Sequence, residues 1–149
     1  MNTIIPKRIV IDTNVCLDLF VFHDQRWNEI LEALQKGSLK AYTRSECRDE
    51  WLTVLRYPHL PIRAENLPDI QSQFDRLIEC IAPTMLSGIK LPVCSDKDDQ
   101  KFLEIARDAD AHFLITKDKA LLKLAKRIRK LGLYSIETPE NFLRNQSEN

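Results

Sequence analysis

Four carboxylates stand where solubility alone gives no reason for an acid: Asp12, Glu50, Asp99 and Asp118. Asp12 ends the apolar run Ile9-Val10-Ile11, and Asp118 closes the segment that begins Phe113-Leu114-Ile115. A carboxylate without a partner is costly inside a sheet. Each therefore belongs at a strand's carboxyl end, where open α/β sheets form their ligand crevice. Glu50 precedes Val54 by one helical turn, and Asp99 holds the same relation to Leu103. On a helix that spacing sets an acid over an apolar position rather than on the solvent face. Gathered in one cleft, the four would repel one another, which raises pKa values and destabilises the fold. A hard divalent ion, Mg²⁺ or Mn²⁺, relieves that repulsion with oxygen ligands alone. Such a set suits in-line attack on a phosphodiester.

Each acid also has a plainer role open to it. Asp12 and Asp118 could simply cap helices, Asp99 could favour a helix dipole with Asp96 and Asp98, and Glu50 could be a solvated helix acid. Glu46, Asp49 and Glu104 are read in that plainer way. His23, His59 and His112 fall outside these patterns and are read as structural or surface residues.

The elements that position the acids follow from the apolar pattern. Ile9–Ile11 shows no alternation, which fits a strand buried on both faces of a parallel sheet. Thr13 and Asn14 can cap the helix that starts near Val15 and breaks at His23-Asp24. Trp27, Ile30, Leu31 and Leu34 recur at helical spacing up to Gly37. Leu39–Tyr42 is a second strand. Ser45 is placed to cap a helix bearing Cys47, Trp51, Val54 and Leu55. Pro68 opens another helix, read through Ile70, Phe74, Leu77, Ile78 and Ile81 to Pro83. Thr84–Cys94 reads as irregular. A helix with Phe102, Leu103, Ala106 and Ala109 inward leads to the strand Phe113–Ile115. A basic helix from Lys119 to about Lys130, a strand at Leu133–Ile136 and a short helix opened by Thr138-Pro139-Glu140 complete the chain. Strands separated by helices predict an α/β fold, a parallel sheet with helices on both faces, over a single domain of residues 1–149.

The 22 basic and 22 acidic residues cancel, so no overall field draws the molecule to nucleic acid. A polyanion site must come from local clustering. Lys117, Lys119, Lys123, Lys126, Arg127, Arg129 and Lys130 are such a cluster: Lys117 and Lys119, nearest the acids, are read as nucleic-acid-binding, and Lys126 and beyond as a solvated helix face with cations near its C-terminus. The four cysteines are scattered without a CxxC pair, which speaks against a zinc site or a disulfide framework. With no leader pattern and no run long enough to span a bilayer, a soluble cytoplasmic protein is expected.

Four blocks then combine: Ile9–Val15; Ser45 with Glu50–Pro58; Asp96–Asp99 through Ala106; and Phe113–Leu122. Together, in this order, they resemble the PIN-domain ribonucleases, and among them the toxin components of bacterial toxin–antitoxin pairs. The resemblance implies a three-layer α/β/α fold and a Mg²⁺- or Mn²⁺-dependent endoribonuclease acting in the cytoplasm. It implies Asp12, Glu50, Asp99 and Asp118 as metal ligands and catalytic acids, with Asn14 and Thr116 as polar supports and Asp96 as an accessory acid. It further implies RNA as substrate, an antitoxin protein as possible partner and a homodimer. Two positions depart from the pattern. Ala120 stands where relatives often carry a further acid, and Lys117 stands where glycine is common. The expected chemistry is water attack promoted by one or two ions.

Other readings are weaker. A phosphatase of the haloacid-dehalogenase type needs a second Asp where this chain has Asn14. A receiver domain needs an acid ending a middle strand, which Leu39–Tyr42 does not supply. A catalytically silent PIN-like module that binds RNA or protein is the non-enzymatic alternative.

Overall fold

Alternate residues of a strand face opposite ways, and β1 (Lys7–Ile11) thereby serves two cores at once. Ile9 and Ile11 pack into one and Val10 into the other. The computed structural model, which describes residues 5–83 and 88–147, puts β1 at the centre of a five-stranded parallel sheet. β2 (Leu39–Arg44) and then β3 (Ile78–Ile81) extend the sheet on one side. β4 (Phe113–Ile115) and β5 (Ser135–Glu137) extend it on the other, giving the order β3-β2-β1-β4-β5. In register, Val10 stands between Tyr42 and Leu114.

Helices cover both faces, the three-layer α/β/α arrangement expected. Against Ile9, Ile11 and Ile115 lie α1 (Thr13–Phe20), α2 (Asn28–Lys36), α4 (Leu67–Leu77) and α8 (Pro139–Ser147). Against Val10, Leu114 and Ile136 lie α5 (Gln100–Asp108), α6 (Lys119–Leu122) and α7 (Ala125–Lys130). Between them, α3 (Ser45–Val54) sends Trp51 to the first core and Cys47 to the second. Gly37 ends α2 in the left-handed conformation at φ 85°, which a side chain would disfavour.

Three aromatic rings lock the helices that flank the site. Trp51 of α3 stacks on Phe74 of α4 with centroids 4.9 Å apart, and Phe20 of α1 meets both rings edge-on at 6.1 and 5.8 Å. Burial of each such side chain contributes about 1.5–3 kcal/mol, and ring geometry adds to it.

Some expectations are corrected. The fourth helix stops at Leu77, and Ile78–Ile81 is the edge strand β3, paired with Ala41–Arg44. The basic helix divides into α6 and α7. Ser45 opens α3 without a side-chain cap, the cap position being Arg44. Helix α1 ends at Phe20, ahead of the break expected at His23-Asp24, and Phe22 lies exposed beyond it. Of the irregular segment Thr84–Cys94, residues 88–94 have no regular structure and residues 84–87 lie outside the described residues.

Candidate metal centre

The strand order reverses direction between β1 and β4, and ligand crevices in open α/β sheets form at such a switch point. Asp12 follows β1 there and Thr116 follows β4. Both are buried, with Asp12 4 % exposed. Asp12 caps α1, its Oδ1 accepting from the Val15 N–H at 3.0 Å. Its other oxygen, Oδ2, accepts from the Thr116 hydroxyl. Burial raises the Asp12 carboxyl above the ordinary aspartate range, although both hydrogen bonds oppose the rise.

Asp118 caps α6, with Oδ1 accepting from the Ala120 N–H at 2.7 Å. Asp96 caps the 3-10 turn Lys97–Asp99 in the same manner, accepting from the Asp98 N–H at 3.0 Å. Capping uses one oxygen of each carboxylate and leaves the other. Asp99 ends that turn, just before α5. The turn brings it back toward Asp96, and one carboxylate oxygen from each of Asp96, Asp99 and Asp118 lies within 4.8 Å of the others. Burial, then the neighbouring charges of Asp118 and Asp96, push Asp99 up to about 7. Its Oδ2 is buried and has no hydrogen-bond partner among the described residues.

That orphaned oxygen and an all-carboxylate donor set fit a hard divalent ion, which would supply what the orphaned acceptor lacks and quench the mutual repulsion. A capping role and a metal-holding role are therefore compatible in Asp96 and Asp118.

The expected acids are not all gathered in this trio. Asp99 and Asp118 are, together with the accessory Asp96. Asp12 borders it, close enough that its charge helps raise Asp99. Glu50 stands apart: its Oε2 accepts from the Thr13 hydroxyl at 3.1 Å and meets the Lys101 ammonium at 3.2 Å. Asn14 is exposed on the first turn of α1, whereas Thr116 links Asp12 to the Asp118 backbone. Lys119 is exposed. Lys117 turns to Asp18 on α1 at 2.6 Å, and the Trp27 indole N–H also reaches Asp18 at 3.2 Å.

Three charged side chains escaped the sequence reading. Asp18 had a signal, since an acid among Val15, Cys16, Leu19 and Phe20 needs a partner when buried. Lys101 had none, because its partner Glu50 lies on a distant helix. Arg44, 6 % exposed, pairs with Glu46, Glu104 and Asp108. This gives Glu46 and Glu104, expected to be idle surface acids, a structural role.

No curated protein and no solved structure matches the chain significantly. A family model described as PIN domain matches residues 8–120, a span that holds all but the first residue of β1, the acidic trio, Glu50 and β4. On that match, and with the parallel sheet and its acids at the switch point, the chain belongs to the PIN domain family.

Proposed function

We propose that this protein is a divalent-metal-dependent endoribonuclease. PIN domains are generally nucleases, and the fold here is of that type. The observation that carries the reading is the convergence of Asp96, Asp99 and Asp118, with Asp99 Oδ2 buried and unpartnered. These three would hold Mg²⁺ or Mn²⁺. When bound, the ion supplies positive charge at the scissile phosphate and acidifies a water for attack. Asp12 borders the trio with one oxygen held by Thr116, so its charge is fixed in direction. Glu50, on α3 and paired with Lys101, would act on the site through its charge. Asp12, Glu50, Asp99 and Asp118 are thus the catalytic acids of this reading. In this reading Lys117 and Lys119 would meet the RNA backbone near Asp118, and Asn14 would support the acids from the first turn of α1.

The same reading makes the chain the toxin of a toxin–antitoxin pair, restrained by an antitoxin protein and acting as a homodimer in the cytoplasm. The four sequence blocks support it. No helix among the described residues is long and apolar enough to cross a membrane.

The test is digestion of mixed-sequence RNA with Mn²⁺, with EDTA, and with Asp99→Asn. Cleavage that needs Mn²⁺ and disappears in the variant supports the reading. RNA binding without cleavage under every metal condition favours the silent module instead.

A further inference from the structure

We propose that the Arg26 guanidinium, laid on the Trp27 ring, is a stacking platform for one base of single-stranded RNA, with Lys117 beside it to meet a neighbouring phosphate. This deepens the nuclease reading above and rests on it.

The platform is held on two sides. Asp24 opens the 3-10 turn Gln25–Trp27 and grips the guanidinium along one edge, Oδ1 accepting from Arg26 Nε at 3.1 Å and Oδ2 from Nη2 at 2.7 Å. Oδ1 also accepts from the Arg26 backbone N–H at 3.0 Å, which fixes the turn itself. The guanidinium carbon stands over the Trp27 ring, 4.7 Å from its centroid. One edge and one face of the plane are thus occupied, yet the side chain is 68 % exposed, which leaves the opposite face to solvent. RNA bases stack on arginine planes. A plane held in advance spares the entropy of ordering a long side chain on binding.

Position ties the platform to the acids. Trp27 is buried, and its indole N–H donates to Asp18 Oδ2 at 3.2 Å. The Lys117 ammonium donates to the same oxygen at 2.6 Å, so ring and ammonium are neighbours. Lys117 in turn lies between Thr116, which holds Asp12, and Asp118 of the trio. Its charge acts on Asp12 on one side and on Asp24 on the other. The turn also packs against α8, which begins just beyond the carboxyl end of β5, and the Glu140 charge there acts on Arg26. The platform therefore belongs to the carboxyl edge of the sheet, where β1 and β4 deliver Asp12 and Asp118.

The two cations differ in what they offer. Asp24 neutralises Arg26, which leaves a flat surface rather than a free charge. An ammonium has three donors. One from Lys117 goes to Asp18, and its side chain is 40 % exposed, so the others are open to a phosphate.

Anisotropy with a fluorescent single-stranded RNA tests this on the Asp99→Asn protein, chosen to bind without cutting, and on that protein carrying Arg26→Ala, Arg26→Lys or Lys117→Gln. Arg26→Ala is expected to weaken binding at least about fivefold, as loss of one stacked base does. Arg26→Lys keeps the charge beside Asp24 and loses the plane, and it is expected to bind as weakly as the alanine variant. Lys117→Gln should lower the salt slope by about 0.7, the value of one phosphate contact. If Arg26→Ala does not fold, Arg26→Lys carries the same expectation. Undiminished affinity in Arg26→Ala would overturn the proposal. So would undiminished affinity in Arg26→Lys, which would make Arg26 a charge contact, or an unchanged slope in Lys117→Gln. Failure of the Asp99→Asn protein itself to bind RNA is a separate result that defeats the ribonuclease reading.

Discussion

Thr116 braces Asp118 from behind: its hydroxyl oxygen accepts the Asp118 backbone N–H at 2.9 Å while its proton goes to Asp12. One buried side chain thereby ties the acid after β1 to the acid after β4. Thr116→Val keeps the shape and removes the hydroxyl. The Asp12 carboxylate then loses a donor in a buried place, and the Asp118 N–H loses its acceptor. The expected cost is about 2–3 kcal/mol. Mn²⁺ affinity should fall several-fold, because Asp118 loses the turn that aims it. Thr116→Ser should restore both. Thermal unfolding and Mn²⁺ titration check this, and a valine variant with wild-type stability and affinity would refute it.

The raised Asp99 predicts how pH acts on the metal-free protein. In the unfolded chain this carboxyl ionises near the ordinary value of 3.8, and in the folded chain at about 7. Between those values the native state holds a proton that the unfolded chain has released. Stability therefore falls as pH rises from about 4 to about 7, then levels. Asp12, also raised, acts in the same direction. Asp24 and Asp75, whose arginine partners lower them, act at more acidic pH and with the opposite sign. The melting temperature in EDTA should be a few degrees higher at pH 5 than at pH 8. Asp99→Asn should flatten most of that slope. Stabilisation by Mn²⁺ should instead grow as pH rises through 7, since the ion displaces a proton.

Arg44 makes a different kind of prediction, one about the scaffold. Its buried guanidinium reaches Glu46 at the start of α3 and Glu104 and Asp108 along α5. It thereby clamps the helix bearing Glu50 to the helix that follows Asp99. Asp108 keeps Arg107 at 2.9 Å when Arg44 is replaced, but Glu104 is left without an ion-pair partner among the described residues. Arg44→Met should cost roughly 3–5 kcal/mol, as breaking a buried pair does. Adding Glu104→Gln should recover part of it, because the stranded charge is gone. Chemical denaturation of the single and double variants measures both. Full additivity of the two substitutions would show that the pair is not coupled.

What was legible in the sequence divides from the rest along a physical line. β1 and β4 were legible because Ile9–Ile11 and Phe113–Ile115 are apolar on both faces, a local property of the sequence. β3 was not, because Leu77, Ile78 and Ile81 continue the helical spacing of Ile70 and Phe74. Only pairing with β2 makes Ile78–Ile81 a strand, and that is non-local. At the site, the residue types were legible and the geometry was not. A capping aspartate and a metal-holding aspartate occupy the same sequence position, and here Asp96 and Asp118 cap helical turns and also join the trio. The positive charge of Lys117 and Lys101 was visible, but their partners Asp18 and Glu50 lie on other helices.

The basic residues after Asp118 give the last prediction. Lys119, Lys123, Lys126, Arg127, Arg129 and Lys130 are all exposed, no acid interrupts the run, and none forms an ion pair among the described residues. Only the first of them, Lys119 and Lys123, stand within about one and a half helical turns of Asp118. The others continue away along α7, near whose end cations also favour the helix dipole without any ligand. Binding of single-stranded RNA to the Asp99→Asn variant, followed by anisotropy, separates the two groups. Each RNA phosphate that a lysine ceases to neutralise lowers the salt slope by about 0.7. Replacing Lys119 and Lys123 with Gln should flatten the slope by about 1.4 in total. Replacing Lys126 and Lys130 should leave it unchanged. Equal effects from both pairs would mean that the strand follows α7 as well, and no effect from either would remove this face from the RNA path.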